Sequence, residues 1–190
     1  MGKIFYLMGK SASGKDTIYK RLLEECPKLC PLITYTTRPI RDGETQGIEY
    51  HFVSQEELKR FQEEGKIIEL RVYETVAGPW SYATVDDGML EDNSKDYLAI
   101  GTLESYEKMK NYFGDDIVIP IYIAIEDGIR LERALMREKQ QREPNYTEMC
   151  RRFLADEEDF SLEKLGHCGI KKVYLNEDLE DCIAEIREIL

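Results

Sequence analysis

The chain has 190 residues, and its 26 Lys and Arg against 38 Asp and Glu give a net charge of −12. A chain this acidic argues against a general nucleic-acid-binding or anionic-membrane-binding surface, so we expect any basic site to be local. The hydrophobic fraction of 42% is too high for a disordered chain, and no apolar run approaches the roughly 18 residues of a membrane span. We therefore expect a folded, soluble and cytoplasmic protein whose residues 1–190 form one domain.

Short β-rich runs alternate with longer helical patterns along the chain, which is typical of an α/β fold with a parallel core sheet. The predicted strands are residues 3–8, 32–36, 50–53, 67–73, 97–100, 117–125 and 171–175. The predicted helices are residues 17–25, 54–65, 103–112, 127–137, 146–159 and 179–190, and a turn is predicted at Ala77, Gly78 and Pro79. The charged stretch 138–144 cannot bury itself between two helices, which indicates a hinged lid.

The first candidate site is the segment Gly9-Lys10-Ser11-Ala12-Ser13-Gly14-Lys15, which has the spacing of a phosphate-binding loop. Its glycines let successive backbone N–H groups converge on a phosphate, and Lys15 supplies positive charge at the transferred group. The segment directly follows a predicted strand and directly precedes a predicted helix, as this motif requires. The alternative is a glycine turn with a solvated lysine. The residues predicted to bind ATP here are Gly9, Ser11, Ala12, Ser13, Gly14, Lys15, Asp16 and Thr17, and Lys15 is also predicted to be catalytic.

The position after Lys15 departs from the motif. A phosphate loop has Ser or Thr there, because that hydroxyl ligates Mg²⁺, whereas this chain has Asp16 followed by Thr17. Asp16 is predicted either to bind the metal, directly or through water, or to be an acidic group favoured at a helix N-terminus. Both interpretations stay open at this point.

The second candidate site contains two arginines and a tyrosine close together in this acidic chain. The residues Thr36-Thr37-Arg38-Pro39-Ile40-Arg41-Asp42-Gly43-Glu44 are followed by Gly47-Ile48-Glu49-Tyr50-His51-Phe52. Convergent arginines suit bidentate recognition of a phosphate dianion. This pattern resembles the guanylate kinase signature T-T-R-x-x-R-x-G-E-x-x-G-x-x-Y-x-F at every fixed position. The resemblance spans nearly the whole chain and implies a three-layer αβα P-loop kinase fold, with a small acceptor-binding lobe at about 33–84 and a mobile lid at about 133–152.

The resemblance also implies roles for individual residues of this lobe. In that family the signature arginines and tyrosine bind the acceptor nucleotide's phosphate, and a hydroxyl residue and a glutamate contact guanine. A carboxylate suits guanine because N1–H and the exocyclic amine form a paired donor edge that adenine lacks. The family's Tyr-Gly-Thr/Ser turn resembles Tyr82-Ala83-Thr84. The predicted acceptor-binding residues are therefore Thr34, Arg38, Arg41, Tyr50, Glu69, Tyr82 and Thr84.

The C-terminal half provides candidate contacts to the donor nucleotide. Arg133 and Arg137 lie on one face of a predicted helix and resemble the family's arginines that stack on the donor base and reach its phosphates. Arg142 and Arg152 are candidates to join them in stabilising charge on the transferred group, and Arg137 and Arg152 are predicted to be catalytic. For each arginine a surface ion pair is the alternative. Asn176 matches an Asn-x-Asp-Leu element that touches the donor nucleoside, and a helix N-terminal role is its alternative.

One segment departs from the family pattern more than the others. Guanylate kinases generally have Asp-x-Asp where this chain has Ala99 and Gly101, so two carboxylates linked to guanine recognition and the metal-phosphate region are missing. The expected activity is transfer of the γ-phosphate of ATP to GMP or dGMP with Mg²⁺, giving ADP and GDP. The alternatives are a diverged kinase acting on another phosphorylated acceptor and a non-catalytic guanylate-kinase-like binding module.

Overall fold

The computed structural model describes residues 2–41, 43–75, 78–88 and 95–190. The described strands are β1 (Ile4–Met8), β2 (Leu29–Pro31), β3 (Tyr35–Thr36), β4 (His51–Phe52), β5 (Ile67–Thr75), β6 (Gly78–Val85), β7 (Asp96–Gly101), β8 (Val118–Ala124) and β9 (Val173–Leu175). The described helices are α1 (Lys15–Glu25), α2 (Gln55–Glu63), α3 (Leu103–Phe113), α4 (Asp127–Lys139), α5 (Tyr146–Asp159), α6 (Leu162–His167) and α7 (Leu179–Arg187). No helix within these ranges is long and apolar enough to cross a membrane.

A five-stranded parallel sheet in the order β2-β7-β1-β8-β9 forms the core. All five residues of β1 are buried, and they alternate between two apolar clusters because successive side chains of a strand point to opposite faces. Tyr6 packs in one cluster with residues of α3, whereas Leu7 packs in the other with residues of α1 and α7. Helices therefore cover both faces, and the predicted α/β fold with a parallel core sheet in three layers is confirmed.

A smaller sheet in the order β4-β3-β6-β5 forms a second, satellite structure with its own apolar cluster. It is mixed: β3 pairs with β4 in parallel, and β6 pairs with β3 and β5 in antiparallel. Helix α2 packs on it through Leu58, and the predicted capping box between Ser54 and Glu57 is present. Of the predicted acceptor-binding residues, Glu69, Tyr82 and Thr84 lie on strands of this sheet, and Thr34, Arg38, Arg41 and Tyr50 lie in the segments next to β3 and β4.

Two sequence-based elements differ from the structure. The predicted strand 32–36 is wrong as one element, because residues 32–34 only connect β2, which ends at Pro31 in the core sheet, to β3, which begins at Tyr35 in the small sheet. The backbone N–H of Leu32 donates to Leu98 O at 2.8 Å, and beyond this bond the chain passes from the core sheet to the small one. At the predicted turn, Ala77 lies outside the described residues, while Gly78 and Pro79 already pair with β5.

The remaining differences concern short or terminal segments. Helix α6 is missed by the periodicity because it has only six residues, although Ser161 caps its N-terminus. Strand β9 begins at Val173 rather than at residue 171, and α7 ends at Arg187 rather than at residue 190. Helix α4 extends to Lys139, which leaves a shorter exposed segment before α5 than predicted.

Candidate active site

The phosphate loop, defined as residues 9–15, follows β1 and leads into α1. Close packing explains its glycines: a Cβ atom at Gly9 would lie 2.5 Å from Ile123 O, and one at Gly14 would lie 2.1 Å from Asn176 Nδ2. Gly14 also has a φ of 92°, and Ala12 has a φ of 63°, so the loop turns twice through the left-handed region. No side chain caps α1, which leaves its first N–H groups available for an anion.

The residues around Lys15 differ in exposure. Lys15 is partly buried, and its Nζ lies 3.9 Å from Asp16 Oδ2. The Asp16 side chain is 71% exposed, and Thr17 is also exposed. Ser13, by contrast, is fully buried, and its hydroxyl has no hydrogen-bond partner among the described residues. Asp16 therefore has room for a ligand, whereas Ser13 packs inside the loop.

Asn176 holds the phosphate loop from the end of β9. Its side chain is buried, and its Nδ2 donates to Ser13 O at 2.8 Å. Its backbone N–H donates to Ala124 O at 2.9 Å, which fixes the residue beside β8. The structure thus gives Asn176 a contact with the loop backbone, in addition to the nucleoside contact predicted from the sequence.

A buried cluster around Arg130 was missed in the sequence analysis. The Arg130 side chain is 2% exposed, donates to Asp156 Oδ2 at 3.1 Å and pairs with Glu157. Asp156 also accepts from the backbone N–H of Ser11 at 2.8 Å, and Lys10 Nζ donates to Glu157 at 2.6 Å. These bonds fasten the phosphate loop to α4 and α5. In the sequence, the only indication of this cluster was the position of Arg130 three residues after Asp127, near the start of a helix. Such a spacing is common for ion pairs on exposed helix surfaces, so it did not indicate a buried arginine.

The four predicted lid arginines are exposed and do not form one cluster. Arg137 and Arg152 line a cavity of about 450 Å³ between α4 and α5, together with Ser11 of the phosphate loop. Arg133 lies next to the loop, with Nη1 3.7 Å from the position of a Cβ at Gly14, whereas Arg142 does not line the cavity. Arg152 donates to Glu148 at 2.8 Å. A hydrogen bond from Arg151, and to a lesser extent one from Arg152, lowers the pKa of Glu148 to about 2.

One cavity of about 570 Å³ connects the phosphate loop with the small sheet, and we call it the acceptor cavity. Gly9, Lys15 and Asp16 line one end of it. The predicted acceptor-binding residues that line it are Thr34, Tyr50, Glu69 and Tyr82. The rings of Tyr50 and Tyr82 lie edge to face with centroids 5.7 Å apart. The structure therefore brings residues predicted separately at the two sites into one cavity.

Arg38, Arg41 and Thr84 do not line the acceptor cavity. Arg38 is 3% exposed and forms a bidentate pair with Glu44, with Nη1 3.0 Å and Nη2 2.7 Å from the two carboxylate oxygens. The same carboxylate accepts from the backbone N–H of Arg41, whose side chain is exposed. Asp42, which follows Arg41 in the sequence, lies outside the described residues. Thr84 is buried and donates to Glu69 Oε1 at 3.3 Å, so it contacts the cavity through that carboxylate.

The missing carboxylates at positions 99 and 101 have a structural counterpart. Ala99 is buried in the core sheet. A Cβ atom at Gly101 would lie 2.2 Å from the Tyr6 hydroxyl, so the phenol occupies the space that a side chain at Gly101 would need. Burial is the main cause, and the charge of Glu69 the second, of a pKa for Tyr6 above the usual tyrosine value, so the phenol is neutral at pH 7 as an unperturbed tyrosine would be. A neutral phenol thus stands at the wall of the cavity where the sequence lacks an acid.

Arg71, which also lines the acceptor cavity, is another residue that the sequence analysis did not single out. It lies two residues after Glu69 on β5 and therefore on the same face of the strand. Its Nε and Nη2 donate to the two oxygens of Glu69 at 3.1 Å and 3.2 Å. In the sequence, Arg71 could be recognised only by its position two residues after Glu69 on a predicted strand. That spacing indicates a contact between the two side chains only if Glu69 is known to be buried.

Comparisons with known proteins agree with this geometry. The sequence model described as "Guanylate kinase" matches residues 1–190. The guanylate kinase of Salinibacter ruber is 30% identical over 185 residues, which cover 96% of this chain and 92% of that protein. That of Helicobacter hepaticus is 33% identical over 114 residues, or 60% of this chain and 56% of that protein. The crystal structure of guanylate kinase from Anaplasma phagocytophilum superposes with a TM-score of 0.64 over 99% of this chain and 84% of that one, and at 23% identity this likeness concerns the fold.

Proposed function

The chain belongs to the guanylate kinase family, and we propose that it transfers the γ-phosphate of ATP to GMP or dGMP, giving ADP and GDP or dGDP. The observation that carries this proposal is the acceptor cavity, because Lys15 and Glu69 line the same space. A donor phosphate on the phosphate loop and a base against Glu69 would then share one cavity. Phosphoryl transfer needs this positioning and positive charge more than it needs covalent help from the protein.

The residues of the phosphate loop have the properties that donor binding requires. The uncapped N-terminus of α1 offers N–H groups to the donor phosphates, and the partly buried Lys15 offers a positive charge beside them. Asn176 and Asp156 hold the loop backbone from two sides, which supports a preorganised loop that does not have to rearrange as charge develops. We propose that Gly9, Ser11, Ala12, Ser13, Gly14 and Thr17 complete the ATP site.

The donor set around Asp16 fits a magnesium ion that is held mainly by the substrate. Among the described residues, no group of three or more His, Cys, Asp or Glu side chains could hold a metal. Mg²⁺ in nucleotide enzymes is commonly bound by one or two carboxylates, water and substrate phosphates, and the exposed Asp16 provides one such carboxylate. When bound there, the ion would neutralise charge on the donor phosphates.

The lid and the acceptor lobe are proposed to complete the site. We assign the lobe to about residues 33–84 and the lid to about residues 133–152, within a single domain of residues 1–190. Arg133, Arg137, Arg142 and Arg152 would stabilise charge on the transferred group and exclude water when the lid closes. Arg38, Arg41 and Tyr50 would bind the acceptor phosphate, and Thr34, Glu69, Tyr82 and Thr84 the acceptor nucleotide. A cytoplasmic location is part of the same proposal.

The direct test is an assay of ATP consumption against a panel of acceptors. The panel contains GMP, dGMP, AMP, IMP, UMP and a ribose bisphosphate, each measured with Mg²⁺ and with no acceptor as the blank. We expect the highest kcat/KM with GMP or dGMP. Preference for another acceptor would point to the diverged kinase, and GMP binding without ATP consumption would point to a binding module; either result would contradict the proposal.

A further inference from the structure

The acceptor cavity contains an arginine, Arg71, whose N–H groups are only partly engaged in hydrogen bonds with the protein. Arg71 directs Nε and Nη2 at Glu69, whose side chain is 1% exposed, while its own side chain is 23% exposed. Within the part of the chain that the structure describes, Nη1 of Arg71 makes no hydrogen bond. A guanidinium carries five N–H donors, so three of them remain for a ligand in the cavity.

The surroundings of Arg71 differ from those expected of the family pattern. Lys15 and Arg71 are the cationic side chains among the described residues that line the acceptor cavity, and Lys15 stands at its phosphate-loop end. The wall near Gly101 is closed by the neutral Tyr6 hydroxyl rather than by a carboxylate. A ligand base that reaches Glu69 would therefore meet a carboxylate and a guanidinium side by side.

The pair matches one edge of guanine in its order of donors and acceptors. Along that edge, the exocyclic amine and N1–H donate, and the neighbouring O6 accepts. Of the two Glu69 oxygens, Oε2 accepts from Nε of Arg71 and Oε1 accepts from Nη2 of Arg71 and from Thr84, and the N–H groups of Arg71 that remain are on Nη1 and Nη2. Adenine reverses this order, because it places an exocyclic amine where guanine has O6 and a bare ring nitrogen where guanine has N1–H.

We propose that Arg71 is a specificity-determining residue that donates to O6 of the acceptor guanine with an N–H group that Glu69 does not use, while Glu69 accepts from the donor edge of the same base. This inference rests on the proposed function, since it concerns the base of the same acceptor. It also connects base recognition with the absence of carboxylates at Ala99 and Gly101. In this chain a carboxylate and a guanidinium would recognise the base, instead of carboxylates alone. A site that hydrogen-bonds a substrate atom discriminates strongly against analogues that lack it.

The test uses 6-thio-GMP, in which sulfur replaces O6 as a weaker acceptor while N1–H and the exocyclic amine are kept. The values of kcat/KM for GMP and 6-thio-GMP are measured with the wild type, Arg71→Met and Arg71→Gln. Arg71→Gln keeps an N–H donor for Glu69 but is too short to reach the base as well, so it carries the test if Arg71→Met does not fold. Arg60→Met is the matched control, because Arg60 lies on α2 of the same lobe with its side chain 62% exposed.

We expect the wild type to prefer GMP over 6-thio-GMP by about tenfold, and both Arg71 variants to reduce this ratio to within about twofold. Arg60→Met should keep the wild-type ratio. If Arg71 only neutralises Glu69, its variants will slow both substrates by the same factor and leave the ratio unchanged, which overturns the inference. A wild type that uses both substrates equally overturns it without any variant. A wild type that phosphorylates no guanine nucleotide overturns the proposed function as well, so the two failures are distinguishable.

Discussion

The phosphate loop and the acceptor cavity are built on opposite principles. The loop offers backbone N–H groups, and its shape is held by distant residues such as Asn176 and Asp156. The cavity offers side chains, and its arginine is paired with its buried glutamate, Arg71 with Glu69, as Arg38 is paired with Glu44 elsewhere in the acceptor-binding lobe. One end of the site therefore depends on chain geometry, and the other depends on side-chain chemistry.

Both regions contain glycines that leave no room for a side chain. In the loop, a Cβ atom at Gly9 would lie 2.5 Å from Ile123 O, and one at Gly14 would lie 2.1 Å from Asn176 Nδ2. In the cavity, a Cβ atom at Gly101 would lie 2.2 Å from the Tyr6 hydroxyl. Substitution of any of these three glycines would therefore force neighbouring atoms to move.

The largest effect is expected at the loop end of the site. Lys15→Ala should lower kcat by about 10²–10³-fold, because it removes the charge placed to stabilise the transferred group in the transition state. Lys20→Ala is the matched control, since Lys20 is exposed on the same helix α1. The measurement is turnover with saturating ATP and GMP, together with a thermal melt of both variants. A folded Lys15→Ala protein with wild-type turnover would remove the basis for the phosphate-loop assignment.

The sequence predicts the loop better than it predicts the contacts that hold it. The Gly-x4-Gly-Lys spacing between a strand and a helix is local, and the structure places it at the end of β1 and the start of α1. The partners Arg130 and Asp156 lie more than 100 residues away along the chain, so no local pattern reveals that Asp156 binds the N–H of Ser11. The same holds for Asn176, whose contact with Ser13 spans 163 residues.

In the acceptor-binding lobe, the signature residues were predictable but their pairing was not. Glu44 belongs to the recognised pattern, yet only the structure shows that its carboxylate binds both guanidinium Nη atoms of Arg38. Likewise, Tyr6 was predicted only as a strand residue. Its hydroxyl reaches Gly101 because β1 and β7 are neighbours in the sheet, and that register is set by tertiary packing. Long-range sheet pairing is the information that local periodicity lacks.

The cavity end of the comparison is tested most strongly at Glu69. Glu69→Gln should cost about 2–4 kcal/mol in kcat/KM for GMP, because an amide donor would then face the donors of guanine and of Arg71. The control is Glu74→Gln, an exposed position on the same strand β5. Kinetics with GMP and AMP measure the effect. Unchanged GMP selectivity in a folded Glu69→Gln protein would favour a non-guanine acceptor.

A smaller and more selective effect is expected at Arg38. Arg38→Ala should raise the KM for GMP by about tenfold or lower kcat, with little change in ATP affinity, because a charge-assisted contact to the acceptor phosphate is lost. Arg60→Ala, on the exposed face of α2, is the control. Equal losses of ATP and GMP affinity would assign Arg38 to holding the lobe together through Glu44, Tyr50 and Phe52.

The smallest effect, and the one that refines the loop side of the comparison, concerns Asp16. Its carboxylate is 71% exposed and lies 3.9 Å from Lys15 Nζ, close enough to meet donor phosphates carrying the same sign of charge. Such a carboxylate repels ATP unless a cation lies between them. We therefore expect Asp16→Asn to raise the Mg²⁺ concentration that gives half-maximal rate by about a few-fold, because one weakly bound charged ligand is lost. The affinity for ATP without metal should change less.

The competing role of Asp16 makes a different prediction for the same protein. An acid in the first turn of α1 interacts favourably with the helix dipole, so Asp16→Asn would then cost about 0.3–1 kcal/mol of stability and leave the metal response unchanged. Titrating Mg²⁺ in the wild type, Asp16→Asn and Glu24→Gln separates the roles, because Glu24 is exposed on the same helix but remote from its start. Superimposable titration curves, after correction for the folded fraction, would leave Asp16 with the helix-start role. A shift of the Mg²⁺ titration curve in Asp16→Asn alone would mean that the Asp16 side chain helps to bind the metal next to a loop that otherwise offers mainly backbone N–H groups.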